Sequence, residues 1–134
     1  MRNVESTLMY RWFEEVWNNG SADRINELLA DDGKVHGLKD INHKQDFINF
    51  YHNFREQFDN IHVTVHDVIS EDDFETARCS VTGTHKESGK PVSFNGMCIA
   101  RFRDGQIVDS WNNFDFLGMY QQIGQKLVAA EPVA

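Results

Sequence analysis

The residue best suited to acid–base chemistry is Asp115, which lies in an aromatic stretch near the C-terminal end. Phe114 and Phe116 flank it, Trp111 precedes it by four residues, and strand pairing is expected to bring Phe94 close. Apolar surroundings disfavour the charged form of a carboxylate, so such a group can exchange protons near neutral pH. This suits the removal of an activated proton next to a carbonyl group, a reaction that needs no metal.

A structural role for Asp115 is equally consistent with the residue pattern. A short helix is predicted over residues 117–127, and Asp is one of the residues preferred at a helix N-cap. The pattern alone therefore leaves two interpretations open, a pocket acid and a helix cap.

The turn at Asp104–Gly105 decides which residues of the preceding strand share a face with Trp111 and Asp115. A two-residue turn selects one alternating set: Phe94, Gly96 and Cys98. A type I turn with a glycine bulge selects the other set: Ser93, Met97, Ile99 and Arg101. In the second register Arg101 can join a pocket, whereas its other interpretation is a solvated strand residue.

No metal site or cofactor is expected. His62 and His66 share a strand face, but at ~3.3 Å per residue they are ~13 Å apart, too far to hold one ion. Neither an H-x-H nor an H-E-x-x-H motif occurs, and glycine-rich phosphate loops are absent.

The N-terminal half is predicted to be mainly helical. Apolar residues at three- and four-residue spacing predict a helix over residues 4–17, which ends at Asn18-Asn19-Gly20. Ser21 is the predicted cap of a short second helix that ends at residues 31–33. A short strand is predicted over 34–38. Phe47 and the apolar residues after it predict a third helix, capped by Asp40 or Asn42.

The C-terminal half is predicted to be a strand meander, because apolar and polar residues alternate from residue 61. Four antiparallel strands are predicted: one from residue 61 to the turn at 71–73, then 74–84, 91–103 and 106–114. The tail 128–134 is expected to fray. The whole chain, 1–134, is predicted to be one α+β domain with helices on one face of a curved sheet.

Composition narrows the function. The 134 residues carry a net charge of −8 and no Lys/Arg run, which argues against nucleic acid and anionic membrane surfaces as partners. No segment approaches the ~20 apolar residues of a membrane span, and the N-terminus lacks a secretion signal, so a cytoplasmic location is expected. Cys79 and Cys98 are expected to be buried thiols.

Several short motifs carry a family resemblance. The stretch from Asp104 to Gly124 contains a D-G-x-I turn, a Trp four residues before an Asp, a leucine–glycine step and Q-x-G. The other motifs are Trp17-Asn18-Asn19-Gly20, Val35-His36 and Gly83-Thr84-His85. Together they resemble the SnoaL-like polyketide cyclases, a branch of the NTF2-like superfamily.

The resemblance implies a cone of helices around a curved sheet, a homodimer formed through that sheet, and a pocket for a small apolar molecule. In these cyclases a carboxylate on the last strand acts as general acid/base in an aldol closure. Asp115 is the matching position, which favours the pocket interpretation. The resemblance also places His36 and His85 near the pocket and its rim. A pocket-facing polar residue is common in the family at the position of Arg101.

The candidate site therefore combines Asp115 as the catalytic residue with a larger set of ligand-binding residues: Trp111, His36, His85, Arg101, Trp17, Phe94 and Tyr10. Tyr10 and Trp17 of the first helix are either core or pocket wall. The predicted function is a cyclase or isomerase acting on a small carbonyl-bearing molecule. The alternatives are a non-catalytic binding module and a structural dimer whose cone is filled by aromatic side chains. Epoxide hydrolysis would require Arg101, Asp109 and Asp115 all to face inward.

Overall fold

Helices followed by a strand meander make up the chain in the computed structural model, which describes residues 3–38 and 41–131. The helices are a 3-10 turn Val4–Ser6, α1 Leu8–Arg11, a π-helix Trp12–Asn18, α2 Asp23–Leu28, α3 Lys44–Gln57 and α4 Phe116–Gln122. The strands are β1 Leu29–His36, β2 Phe58–Glu71, β3 Phe74–His85, β4 Pro91–Arg103 and β5 Gln106–Phe114. They form one sheet in the order β1-β5-β4-β3-β2, with β1 parallel to β5 and the other neighbours antiparallel. The predicted α+β class is confirmed.

The first amphipathic segment is helical as predicted, but it is not one regular α-helix. The side chain of Thr7 caps α1 by accepting a hydrogen bond from the backbone N of Tyr10 at 3.2 Å. The hydrogen bonds then lengthen to five residues in the π-helix, as in the 2.8 Å bond from the N of Asn19 to the carbonyl of Glu14. The wider turn keeps Trp12 and Trp17, five residues apart, both buried.

The predicted boundary between α2 and β1 is wrong. Helix α2 ends at Leu28 and β1 begins directly after it, so residues 31–33 belong to the strand. A register shift between Leu29 and Lys34 accommodates them beside β5. Gly33 fits there because a Cβ would lie 2.8 Å from the Leu29 side chain and 3.0 Å from the carbonyl of Ile107.

The predicted helix caps also differ from those in the structure. The N-cap of α2 is Ala22 rather than Ser21, and the N-cap of α3 is His43; neither makes a side-chain capping bond. The backbone N of Asn42 donates to Asp46 at 3.4 Å, and Asp40 lies outside the described residues.

The β4–β5 hairpin combines features of both predicted registers. Asp104 and Gly105 both have positive φ, 53° and 77°, and form a two-residue turn that pairs Arg103 with Gln106. A register shift then follows between Arg101 and Phe102, so Trp111 is opposite Ile99. This shift determines which residues of β4 lie on the same face of the sheet as Trp111, and these are Met97 and Ile99.

The sheet has two unlike faces. The inner face, packed against the helices, carries buried residues such as Val81, Phe94 and Cys98. The outer face, on the opposite side, leaves three large apolar side chains exposed: Met97 at 53%, Ile99 at 42% and Trp111 at 43%.

Helix α4 is shorter than predicted and ends at Gln122 rather than residue 127. Leu127 and Val128 beyond it are exposed. Of the tail expected to fray, residues 132–134 lie outside the described residues. Among the helices described, none is both long and apolar enough to cross a membrane.

Candidate functional site

An apolar cavity of about 70 Å³ lies between the helices and the inner face of the sheet. Its described wall combines two indole rings, several Phe rings and branched aliphatic side chains with a single polar residue. The lining residues are Trp12, Phe13, Trp17, Leu38, Phe47, Phe50, Phe54, Ile61, Val63, Val81, Phe94, Asn112, Phe114 and Phe116. A mostly apolar concave wall with few polar groups is typical of a small-molecule site.

The helical side of the cavity is held by aromatic contacts between the π-helix and α3. The rings of Trp12 and Phe47 have centroids 5.1 Å apart, and those of Trp17 and Tyr51 are 5.0 Å apart. The buried Tyr51 hydroxyl donates to the carbonyl of Val16 at 2.8 Å, which ties the π-helix to α3. Burial of the phenol raises the pKa of Tyr51, so the hydroxyl remains a donor at neutral pH.

The sheet side of the cavity depends on a glycine. A Cβ on Gly96 would lie 2.1 Å from the ring of Phe114, so only a residue without a side chain lets this ring lie across β4. Phe114 then contacts Phe13 of the π-helix and Phe116 of α4, with ring centroids 6.5 Å and 6.3 Å apart.

Within the described ranges 3–38 and 41–131, Asn112 is the one polar residue of the cavity wall, and it is absent from the candidates that the sequence predicts. Its Nδ2 donates to the carbonyl of His36 at 3.0 Å and contacts Ser110 Oγ at 3.4 Å. Gly37 allows this close approach of β1, because a Cβ there would lie 1.9 Å from the carbonyl of Asn112. Asn112 lies two residues before Phe114 on the same strand, so the two side chains share a face of the sheet. This spacing is the sequence signal that could have identified Asn112.

Two of the candidate ligand-binding residues, Trp17 and Phe94, line the cavity. Tyr10 does not line it and lies partly exposed on α1. Its pKa is raised, first by partial burial of the phenol and then by the charges of Glu14 and Glu5.

The structure places Asp115 at the N-cap of α4, outside the set of residues that line the cavity. Its Oδ1 accepts a hydrogen bond from the backbone N of Gly118 at 2.9 Å, and the residue is exposed. It borders a groove on the outer face together with Met97 and Leu117. Of the two interpretations that the sequence leaves open, this geometry is that of the helix cap.

Three further candidates, Trp111, His36 and Arg101, lie on the outer face. The register shift in the β4–β5 hairpin puts Arg101 on the same face as Trp111, and His36 of β1 pairs with Trp111. Trp111 is exposed there, and the ring of His36 stacks on it with centroids 5.5 Å apart and an angle of 19° between the planes. Nε2 of His36 is 2.8 Å from Oδ1 of Asp109. Arg101 is the strand partner of Asp109. His36 thus contacts both Trp111 and Asp109, and none of the three candidates lines the cavity.

His85 lies at the end of β3, where the hairpin to β4 begins. Its Nδ1 is 2.8 Å from Ser88 Oγ, and its ring packs on Phe58 with centroids 5.3 Å apart. It is half-buried and does not line the cavity.

Among the residues that the structure describes, those lining the cavity include no titratable side chain. Within residues 3–38 and 41–131, no group of three or more His, Cys, Asp or Glu side chains could hold a metal ion. The cavity can therefore hold an apolar molecule through packing, with Asn112 as a polar contact.

Comparison with known proteins finds solved structures with a similar fold. IdmH from Streptomyces antibioticus, described as a candidate polyketide cyclase, is 24% identical with a TM-score of 0.78, covering 92% of this chain and 100% of that one. A candidate polyketide cyclase from Bacillus cereus ATCC 10987 is 28% identical with a TM-score of 0.79, and the match covers 90% of this chain and 80% of that one. A protein from Catenulispora acidiphila with a ketosteroid isomerase-like fold, in complex with trimethylamine, is 17% identical with a TM-score of 0.79. The match covers 89% of this chain and 93% of that one. No curated protein sequence matches the chain.

The helices around a curved sheet and these structural neighbours define the class as the ketosteroid isomerase-like, or NTF2-like, fold. A family model described as SnoaL-like polyketide cyclase matches residues 7–123. The chain belongs to this family, as its motifs predict.

Proposed function

We propose that the protein binds a small, apolar, ring-containing molecule in the cavity between the π-helix, α3 and the inner face of the sheet. The observation that carries this proposal is the aromatic cavity itself. An apolar ligand that enters the cavity contacts the aromatic rings of its wall and removes apolar surface from water, which favours binding.

The size of the cavity sets the scale of the ligand. Its volume, about 70 Å³, is roughly half of the ~150 Å³ engineered cavity that holds benzene. A single ring therefore requires the lining side chains to move outward, and a larger molecule requires the mouth of the cone to open further.

The test uses toluene as the probe and the three tryptophans as reporters. Trp12 and Trp17 line the cavity, whereas Trp111 is on the outer face. We expect toluene to shift the indole N–H resonances of Trp12 and Trp17 in NMR spectra and to leave that of Trp111 unchanged. Shifts at Trp111 alone, or at none of the three, would contradict the proposal.

A matched pair of variants locates the binding. Val81→Phe places a ring in the cavity wall, and Thr82→Phe places the same ring on the exposed outer side of β3. We expect Val81→Phe to weaken toluene binding at least about tenfold, because the new ring occupies the ligand's space, and Thr82→Phe to leave it unchanged. Melting temperatures of both variants verify that they are folded.

Acid–base catalysis by Asp115 on a carbonyl compound, of the aldol-cyclase or isomerase type, is the second candidate. Family membership supports it, as does the position of Asp115 between Phe114 and Phe116, which both line the cavity. In this mechanism the carboxylate leaves its bond to Gly118 and removes a proton next to the ligand's carbonyl group.

Proton exchange tests this second candidate. A catalytic Asp115 accelerates exchange of the methyl protons of acetophenone in D₂O, and Asp115→Asn reduces the acceleration by at least about 100-fold. Asn still caps a helix, so the fold is retained. Asp109→Asn is the matched control, because it removes a different carboxylate, that of Asp109 on β5. No acceleration by the wild-type protein, or equal acceleration by Asp115→Asn, leaves binding as the function.

We also propose a homodimer formed through the outer face. The exposed side chains of Met97, Ile99 and Trp111 support it, because they give this face an apolar centre. Sedimentation should show a dimer that Ile99→Lys dissociates, since a charge would be buried at the contact. Leu127→Lys, on the exposed segment after α4, should not. A wild-type monomer at micromolar concentration contradicts this proposal.

A further inference from the structure

The side-chain amide of Asn112 makes hydrogen bonds within the described part of the protein through Nδ2 but not through Oδ1. Nδ2 donates to the carbonyl of His36 at 3.0 Å, and a carbonyl can only accept. This bond fixes the orientation of the amide, so the free end is the acceptor Oδ1. Within the described part of the chain, no residue donates a hydrogen bond to this oxygen.

The free acceptor remains open to a small molecule. Asn112 is only partly buried and lines the cavity. No side-chain polar atom in the described residues is both sealed from water and unpartnered, so Oδ1 is reached by a water-sized group. An amide oxygen in an apolar wall gains more from a donor than it would in bulk water.

We infer that Asn112 makes the cavity select ring compounds that carry a hydroxyl group over isosteres that lack a hydrogen-bond donor. This inference rests on the proposed binding function and assigns the polar contact within it. The ligand hydroxyl donates to Oδ1 of Asn112 while the ring packs among the aromatic side chains. For a carbonyl compound that enolises, the same contact favours the enol, because only the enol carries an O–H.

Phenol and fluorobenzene test the inference because they are close in size and only phenol can donate. In a wholly apolar cavity phenol binds more weakly than fluorobenzene, since its hydroxyl loses its hydrogen bonds to water. With Asn112 as acceptor, we expect phenol to bind the wild-type protein about 3- to 10-fold more tightly. Calorimetry gives both affinities, and the indole N–H shifts of Trp12 and Trp17 show that each probe enters the cavity.

Asn112→Leu keeps the approximate size of the side chain and removes the acceptor. We expect it to reverse the order, so that fluorobenzene binds more tightly than phenol. Asn113→Leu is the matched control, because Asn113 is the next residue of β5 and is exposed on the outer face. It should keep the wild-type order.

The outcomes separate this inference from the proposed function. Entry of both probes with fluorobenzene binding as tightly as phenol overturns the role of Asn112 and leaves the binding function standing. Entry of neither probe overturns both. If Asn112→Leu fails to fold, the order of the two affinities in the wild-type protein still decides the question.

Discussion

Residues 111–116 carry the contrast between the two sides of the sheet within one short segment. Trp111, Asn113 and Asp115 are exposed, whereas the intervening residues, Asn112, Phe114 and Phe116, are partly buried and line the cavity. The two residues that carry the family resemblance here, Trp111 and Asp115, belong to the first set. Motif residues can therefore identify the family while the residues that alternate with them line the cavity.

The two sides differ in chemistry as well as exposure. Apart from Asn112, the residues that the structure describes in the cavity wall are apolar. The outer side holds the His36–Asp109 pair, the stacked Trp111 and the carboxylate of Asp115. Charged groups remain in solvent, where ionisation costs little, and apolar groups enclose the space from which water can be excluded.

The largest expected effect comes from adding a side chain on the inner side of β4. Gly96→Val should lower the free energy of unfolding by about 2–3 kcal/mol, because its Cβ would overlap the ring of Phe114. Met97→Val, one residue along and exposed, should change it by less than ~0.5 kcal/mol. Urea denaturation of both variants measures the difference. Equal stabilities would show that Phe114 can move and that the cavity wall is not fixed.

A smaller effect is expected at the cap of α4. Asp115→Ala should cost about 1 kcal/mol of unfolding free energy, because the bond to the N of Gly118 is lost. Asp115→Asn should cost only a few tenths of a kcal/mol, since Asn caps equally well. Thermal unfolding gives both values. Equal losses in the two variants would mean that the negative charge of Asp115, rather than its capping bond, stabilises the helix.

The smallest effect is expected for alkylation of the two buried thiols in the native protein. Cys79 and Cys98 are almost inaccessible, and a hydrogen bond to Cys79, together with burial, raises the pKa of the Cys98 thiol well above its usual value. The nucleophile in alkylation is the thiolate. Iodoacetamide at pH 8 should therefore leave both thiols unmodified in the native protein and modify both in denaturant, as mass spectrometry would show. Rapid native labelling would reveal frequent opening of the sheet interior.

Much of the fold could be predicted because its signals are local. The alternation of apolar residues and the Asp104–Gly105 turn give the bounds of β4 and β5 as the structure has them. The spacing of Phe47 and later residues predicts α3. The start of β1 could not be predicted, because residues 31–33 resemble a helix end and only pairing with β5 makes them a strand.

The site was less predictable, because it depends on interactions between distant segments. The register shift between Arg101 and Phe102 decides which side of the sheet Trp111 occupies, and nothing in the local sequence distinguishes it from a simple hairpin. Asp115 satisfies the requirements of a cap and of a pocket acid equally well in sequence. The role of Asn112 follows from the approach of β1, at Gly37, which is far away in the chain.

The π-helix implies a route by which evolution can reshape this pocket without altering the sheet. Trp12 and Trp17 both reach the cavity because the turn between them holds one residue more than an α-helical turn. Loss of the Glu14 codon would place the two indoles four residues apart, which is the same-face spacing of an α-helix. Such a deletion would keep both rings on the cavity side of the helix, so a change of one residue in length at this point is a route to refitting the site to another ligand.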